Sequence, residues 1–163
     1  MAMNIYVKMT ANGSDIAGES TVESMDRADL LEVYEMKWGV NTAREGQTQR
    51  AVGRRRHLPI RMLKRIDKAS PLLFKALCQN EEIEATYRMF RPNPVSGETE
   101  EYFNIVIGGG RISSIEGFQP NTALPDTSTL PDSEWVDVVF HTVTWTHMTE
   151  STEHSDDWRM AEN

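Results

Sequence analysis

Ile66-Asp-Lys-Ala-Ser-Pro-Leu-Leu-Phe-Lys-Ala-Leu77 is the stretch that decides the fold, because it is the only segment that reads as a helix. Ser70 suits an N-cap, where its hydroxyl accepts from a backbone N–H one turn on. Pro71 then falls at the first helical position, where its missing N–H costs nothing. Leu73 and Leu77, Leu72 and Ala76, and Phe74 and Cys78 are each one turn apart. Eight or so residues span roughly 12 Å, too short to be helical alone in water. The helix must lie on something large and apolar, and almost everything around it alternates with period two.

Outward from the helix, Leu58, Ile60, Met62 and Ile66 mark a strand leading in, with Pro59 at its edge, and Ile83, Ala85, Tyr87 and Met89 mark the strand that leaves. Met3, Ile5, Val7 and Met9 form a first strand, closed by the turn Ala11–Ser14, and Ile16–Ser20 suits a short return strand. In the strand Leu30–Val40, Tyr34, Met36 and Trp38 share the parity assigned to the core, leaving Val33, Glu35 and Lys37 on the other face. Asn41–Arg56 has no periodicity and is expected to be a long structureless loop. Tyr102–Ile107 is a nearly continuous apolar strand, which Gly108-Gly109-Gly110 is expected to turn sharply into Arg111–Phe118. Trp135–Met148 reads as one long strand that bends between two sheets. About eight strands with turn signals between them imply a sandwich or barrel.

The 163 residues are 39% hydrophobic with a mean hydropathy of −0.52, which fits one globular domain over 1–163 with a polar surface and no membrane insertion. The opening residues lack a basic leader and an apolar run, so no secretory signal is expected. The single cysteine, Cys78, is expected to be a buried small hydrophobe. The net charge is −8, unevenly spread. Nine basic residues against two acidic ones between Arg44 and Lys68 give +7, whereas two basic against thirteen acidic ones from Gly97 onward give −11. Opposite charges at two ends suit head-to-tail association of copies; taken alone, the same pattern also fits a solvated loop.

No catalytic signature is present. The triple glycine lacks the Lys and Ser/Thr of a phosphate cradle, and there is no nucleophile elbow. His141 and His147 share a parity and could meet Asp156 or Asp157 at a metal, but the spacing matches no zinc pattern and structural histidines are the commoner outcome. Arg54-Arg55-Arg56-His57 lacks interleaved aromatics in an acidic chain, which argues against nucleic acid. Trp38, Trp135 and Trp145 are most simply core or interface residues. No cofactor is expected.

Taken together, I-D-x-x-S-P-x-L at Ile66–Leu73, Val143-Thr-Trp-Thr146 and the ending His154-Ser-Asp-Asp-Trp158 resemble the haemolysin-coregulated protein (Hcp) family over essentially the whole chain. The resemblance implies a mainly β fold, a two-sheet β-barrel with one short flanking α-helix at about residues 70–78. It implies a structural rather than enzymatic role, as a type VI secretion tube subunit in stacked homohexameric rings. The implied partners are further copies, a spike protein, a contractile sheath and effectors carried in the lumen. The implied itinerary is cytoplasmic until assembly, then secreted without a signal peptide. No enzymatic extension is expected beyond the tail at about 150–163. Other classes stay in view: a monomeric small-ligand-binding barrel, or a metalloenzyme using His141, His147 and Asp156.

Within the resemblance, Arg44, Arg50, Arg54, Arg55 and Arg56 on the loop of about residues 41–56 are expected to reach a neighbouring protomer or ring, the loop being mobile until it does so. Glu35 and Lys37, on the parity opposite Trp38, are expected to face the lumen.

Overall fold

Alternation builds the first strand, β1 (Ile5–Ala11): Val7, Met9 and Ala11 are buried and Ile5 packs on the same core. The computed structural model describes residues 2–157. The end of β1 pairs with β2 (Ser14–Ile16) and its start with β3 (Leu31–Lys37), while β7 (Ile83–Pro92) runs along its other flank. From β3 the sheet continues through β6 (Ile60–Arg65) and β9 (Ser133–Val139) to β8 (Thr99–Phe118), which pairs back to β7. Six antiparallel strands therefore close a barrel. Beyond it, β10 (Thr142–His147) adds to β8 and β11 (Thr152–Asp157) adds to β10. A separate two-stranded ladder, β4 (Val40–Asn41) with β5 (Arg56–His57), stands at the end of β3.

Strand β8 makes this a two-sheet barrel, because its twenty residues serve both sheets. It pairs with β10 up to Gly108 and with β7 up to Gly110; from Arg111 it pairs with β9. The triple glycine does not end the strand, as expected from the sequence, but bends it. Gly109 has φ +61°, open to glycine at little cost. A Cβ on Gly110 would lie 2.8 Å from the carbonyl oxygen of Ile83, so the close approach of β7 needs a bare backbone. Opposite this corner, the expected long strand 135–148 breaks into β9 and β10 at Phe140-His141, where the His141 N–H donates to the Gly108 carbonyl at 3.1 Å.

The expected parity of β3 is half right. Leu31 and Val33 are buried, then a register shift between Val33 and Glu35 against β6 moves the inward set to Met36. Such a bulge inserts one residue and reverses which face each later side chain takes. Tyr34, at the bulge, lies on the exterior, and Trp38, past the last residue of β3, is 39% exposed rather than in the core. Trp135 is also not central: Arg61 and Lys37 lie over its ring, 4.5 and 5.6 Å from the centroid.

Helix α1 (Ser70–Cys78) lies against β8 and buries Leu73 and Ala76 beside Ala69. Cys78, expected inside, is exposed. Ser70 is not the cap either: it is already helical, and its hydroxyl accepts from the Asp67 N–H and donates to Glu134. Lys64, 1% exposed, reaches into the same cluster, donating to Glu134 at 2.6 Å, Asp67 at 3.0 Å and Ser70 at 3.2 Å. The entry to the helix is thus pinned to β6 and β9 by a buried ionic network. Its members Asp67 and Ser70 are the polar letters of the I-D-x-x-S-P motif.

Candidate functional site

The segment 41–56 is an arm with its own hydrogen-bonded ladder, not the structureless loop expected from its composition. Val40 pairs with His57 and Asn41 with Arg56 at its base, and Arg44 bridges Ala51 further out. Val52 N–H donates to the Ala43 carbonyl at 2.9 Å, and Glu45 N–H to the Arg50 carbonyl at 2.8 Å. Near the tip, Gln49 adopts φ +59° and its carbonyl accepts from the Arg44 guanidinium at 3.1 Å, while Thr48 donates to Glu45. Backbone pairing needs no apolar side chains, which is why an arm without hydrophobic periodicity was invisible in the sequence.

The arm is anchored to its own chain. Arg55 Nε donates to Asp156 Oδ2 at 2.6 Å, its Nη2 to Oδ1, and His57 Nε2 lies 2.7 Å from Oδ2. The His57 side chain is 6% exposed, with its ring edge-on to Phe140 at 5.6 Å. Beside this junction a groove of about 560 Å³ runs between the base of the arm and β10–β11, floored by Val143 and Trp145 and walled by Val40 and His154.

The Arg55 hydrogen bonds, with a smaller contribution from His57 against the opposing effect of burial, push the Asp156 carboxyl down to about 2. A folded-state pKa below the unfolded value stabilises the fold fully above about pH 4, and that stabilisation is lost as pH falls toward 2. Since Asp156 is partly solvated, the contribution is about 1–2 kcal/mol. The urea midpoint difference between the parent and Asp156→Asn is therefore expected to hold steady from pH 7 to 5 and to shrink between pH 4 and 3. A difference that stays constant to pH 3 contradicts the assignment.

Of the five arm arginines, Arg55 is thus engaged within its own protomer, and Arg44 partly supports the arm's tip. Arg50, Arg54 and Arg56 lie on the exposed arm. Glu35 and Lys37 project from the outer face of β3 and pair with each other at 3.4 Å. Three of the nine basic residues noted in the sequence meet the acidic segment inside one protomer: Lys64 with Glu134, Arg61 beside Asp137, and Arg55 with Asp156.

The candidate metal set does not assemble. In the β10–β11 register Asp156 lies opposite Val143 and Thr152 opposite His147, so Asp156 and His147 sit at opposite ends of the ladder, roughly 13 Å apart. His147 Nδ1 instead meets the Thr149 hydroxyl at 3.2 Å. Among the described residues no group of three His, Cys, Asp or Glu is placed to hold a metal ion. Trp158 of the terminal motif lies outside the described residues. Glu134, to which no role was assigned from sequence, and His57, weighed only within the Arg54–His57 basic run, bind segments far apart in the chain. Asp156, considered only as a metal ligand, is the anchor's acceptor, and the terminal H-S-D-x-W motif already contained it.

The sequence model of a family described as "Type VI secretion system effector, Hcp" matches residues 6–147 of this chain. The chain belongs to the Hcp family. The "Major exported protein" of Pseudomonas aeruginosa is 29% identical over 167 residues, covering 98% of this chain and 97% of that protein. Among solved structures, the secreted protein Hcp3 from Pseudomonas aeruginosa superposes with a TM-score of 0.75 at 25% identity, covering 95% of this chain and 99% of that one. Hcp1 from the E. coli EAEC 042 pathovar shares the fold, with a TM-score of 0.80 at 24% identity over 96% of this chain and 99% of its own. The family model runs from β1 through β10, and the two solved structures cover 95–96% of the chain. The mainly β, two-sheet barrel with one flanking helix is the architecture of the family.

Proposed function

We propose that this Hcp-family chain is a structural tube subunit of a type VI secretion system, closing homohexameric rings that stack, carrying effectors in the lumen and leaving the cell with them. Family membership carries this reading, and the exported relative supports the secretion step. The arm supports the assembly step, because it projects basic side chains from a barrel that is complete without it. In this reading the whole chain 1–163 acts as one tube-building unit. Arg44, Arg50, Arg54 and Arg56 contact a neighbouring protomer or ring, Arg55 holds the arm in place, and Glu35 and Lys37 line the lumen. Spike, sheath and effectors are the further partners, and the role is structural rather than enzymatic.

The ligand-binding barrel is the weaker reading. Six strands enclose less space than the eight that just accommodate one small ligand. Here Met9, Met62, Tyr87 and Ile105, all 0–1% exposed, fill the interior.

Light scattering at micromolar concentration is expected to return about six times the chain's 18.6 kDa. A mass near a single chain defeats the ring. Replacing Arg44, Arg50, Arg54 and Arg56 with serine is expected to leave the fold intact while reducing ring stacking, most visibly at low salt. Exposed ion pairs contribute only about 0–1 kcal/mol each and are screened over roughly 8–10 Å, so several must act together. Stacking equal to that of the parent at every salt concentration removes the arm from the interface.

A further inference from the structure

Two elements of this protein have little core of their own. Among the described residues β11 is the outermost strand of its sheet, paired on one side only, and four of its six residues are exposed. The arm leaves the barrel on a two-residue ladder and carries almost no buried side chain besides His57. An isolated two-stranded ribbon is marginal in water, and an edge strand without a buried face is little better. Yet both are paired in ladders, and they meet at Asp156.

The meeting point is built for rigidity. Both oxygens of one carboxylate are used, by a planar guanidinium fork and by an imidazole nitrogen. Charge-assisted, two-pronged bonds of this kind fix direction as well as distance. His57 in turn is buried against Phe140, at the break between β9 and β10. A continuous chain of contacts therefore runs from the barrel through His57 and Asp156 to Arg55. It joins residues separated by 101 positions in sequence.

We infer that Asp156 is the positioning residue of the arm, and that Arg55, Asp156 and His57 form a lock that orders the arm and β11 as one cooperative unit. The lock sets the direction in which the arm presents its remaining arginines. In return it holds down the edge strand, whose free side is where another strand could add. The coupling is reciprocal: whatever loosens the arm loosens β11, and the reverse.

Hydrogen exchange on the full chain tests this with two variants that remove the lock from opposite sides, Asp156→Ala and Arg55→Ala. Hydrogen bonds to charged groups are strong enough that losing them is expected to speed exchange by about tenfold. Both variants should show that gain in the paired amides of both the arm and Thr152–Asp157, with Ile60–Arg65 and Ile83–Pro92 unchanged. The decisive readouts are the crossed ones, β11 in Arg55→Ala and the arm in Asp156→Ala. If each variant loosens only its own element, or neither, the lock is an ordinary surface pair and the inference is wrong. Should Asp156→Ala lose protection throughout the barrel, Arg55→Ala decides alone, since Arg55 lies outside the core and its removal leaves no buried cavity.

Discussion

Lys64→Met is expected to lower the unfolding free energy by about 3–5 kcal/mol, the usual cost of removing one member of a buried ion pair. The Lys64 side chain is 1% exposed and its ammonium lies 2.6 Å from Glu134, itself 7% exposed, with the Arg65 carbonyl, Asp67 and the Ser70 hydroxyl as its other acceptors. Without it, the Glu134 carboxylate stays buried with only a hydroxyl donor, and Asp67 loses its counter-charge. The helix entry is held by the same cluster, so its order should fall with the network. Combining Lys64→Met with Glu134→Leu, which leaves only Asp67 without its counter-charge, is expected to recover part of the loss, because the penalty lies in the stranded charge rather than in the absence of a pair. Urea unfolding followed by far-UV circular dichroism measures both. A single-variant loss under about 1 kcal/mol, or a double variant no better than the single, would show that the carboxylates reach water and the network is not buried.

Leu73→Ala is expected to cost about 2–5 kcal/mol, and its neighbour Phe74→Ala less than about 0.5 kcal/mol. The two residues are adjacent and both strongly apolar. Leu73 is fully buried between α1 and the barrel, so truncation leaves a cavity that packed neighbours cannot readily fill. Phe74 is 63% exposed on the far side of the helix and its removal opens no void. Equal losses from the two variants, read from the same urea titrations in the isolated protein, would mean that the helix is rotated or covered by another surface.

Local pattern determined much of this protein by itself. Strict alternation placed Val7, Met9, Ala85, Tyr87 and Met89 in the core, since a period of two admits only one buried face. Pro71 and the leucines around it located the only α-helix among the described residues. The motifs around Asp67 and Asp156 carried the family resemblance. Tertiary structure decided whatever depends on a partner distant in sequence. A bulge between Val33 and Glu35 switched the inward parity of β3 from Val33 to Met36, and the strand ended before Trp38, which stayed outside. The approach of Ile83 turned three glycines from a turn into a bend within one strand. The helix was apolar on nearly every side, so its sequence could not say whether Leu73 or Phe74 would meet the barrel, nor that Cys78 would face outward. Ser70 was drawn from capping into a network by Lys64 and Glu134, one on β6 and the other on β9. The arm's order came from backbone pairing and from Asp156, a hundred residues away. Propensity and periodicity act over a few residues, whereas register, burial and ion pairing are settled only when the closed barrel brings its strands together.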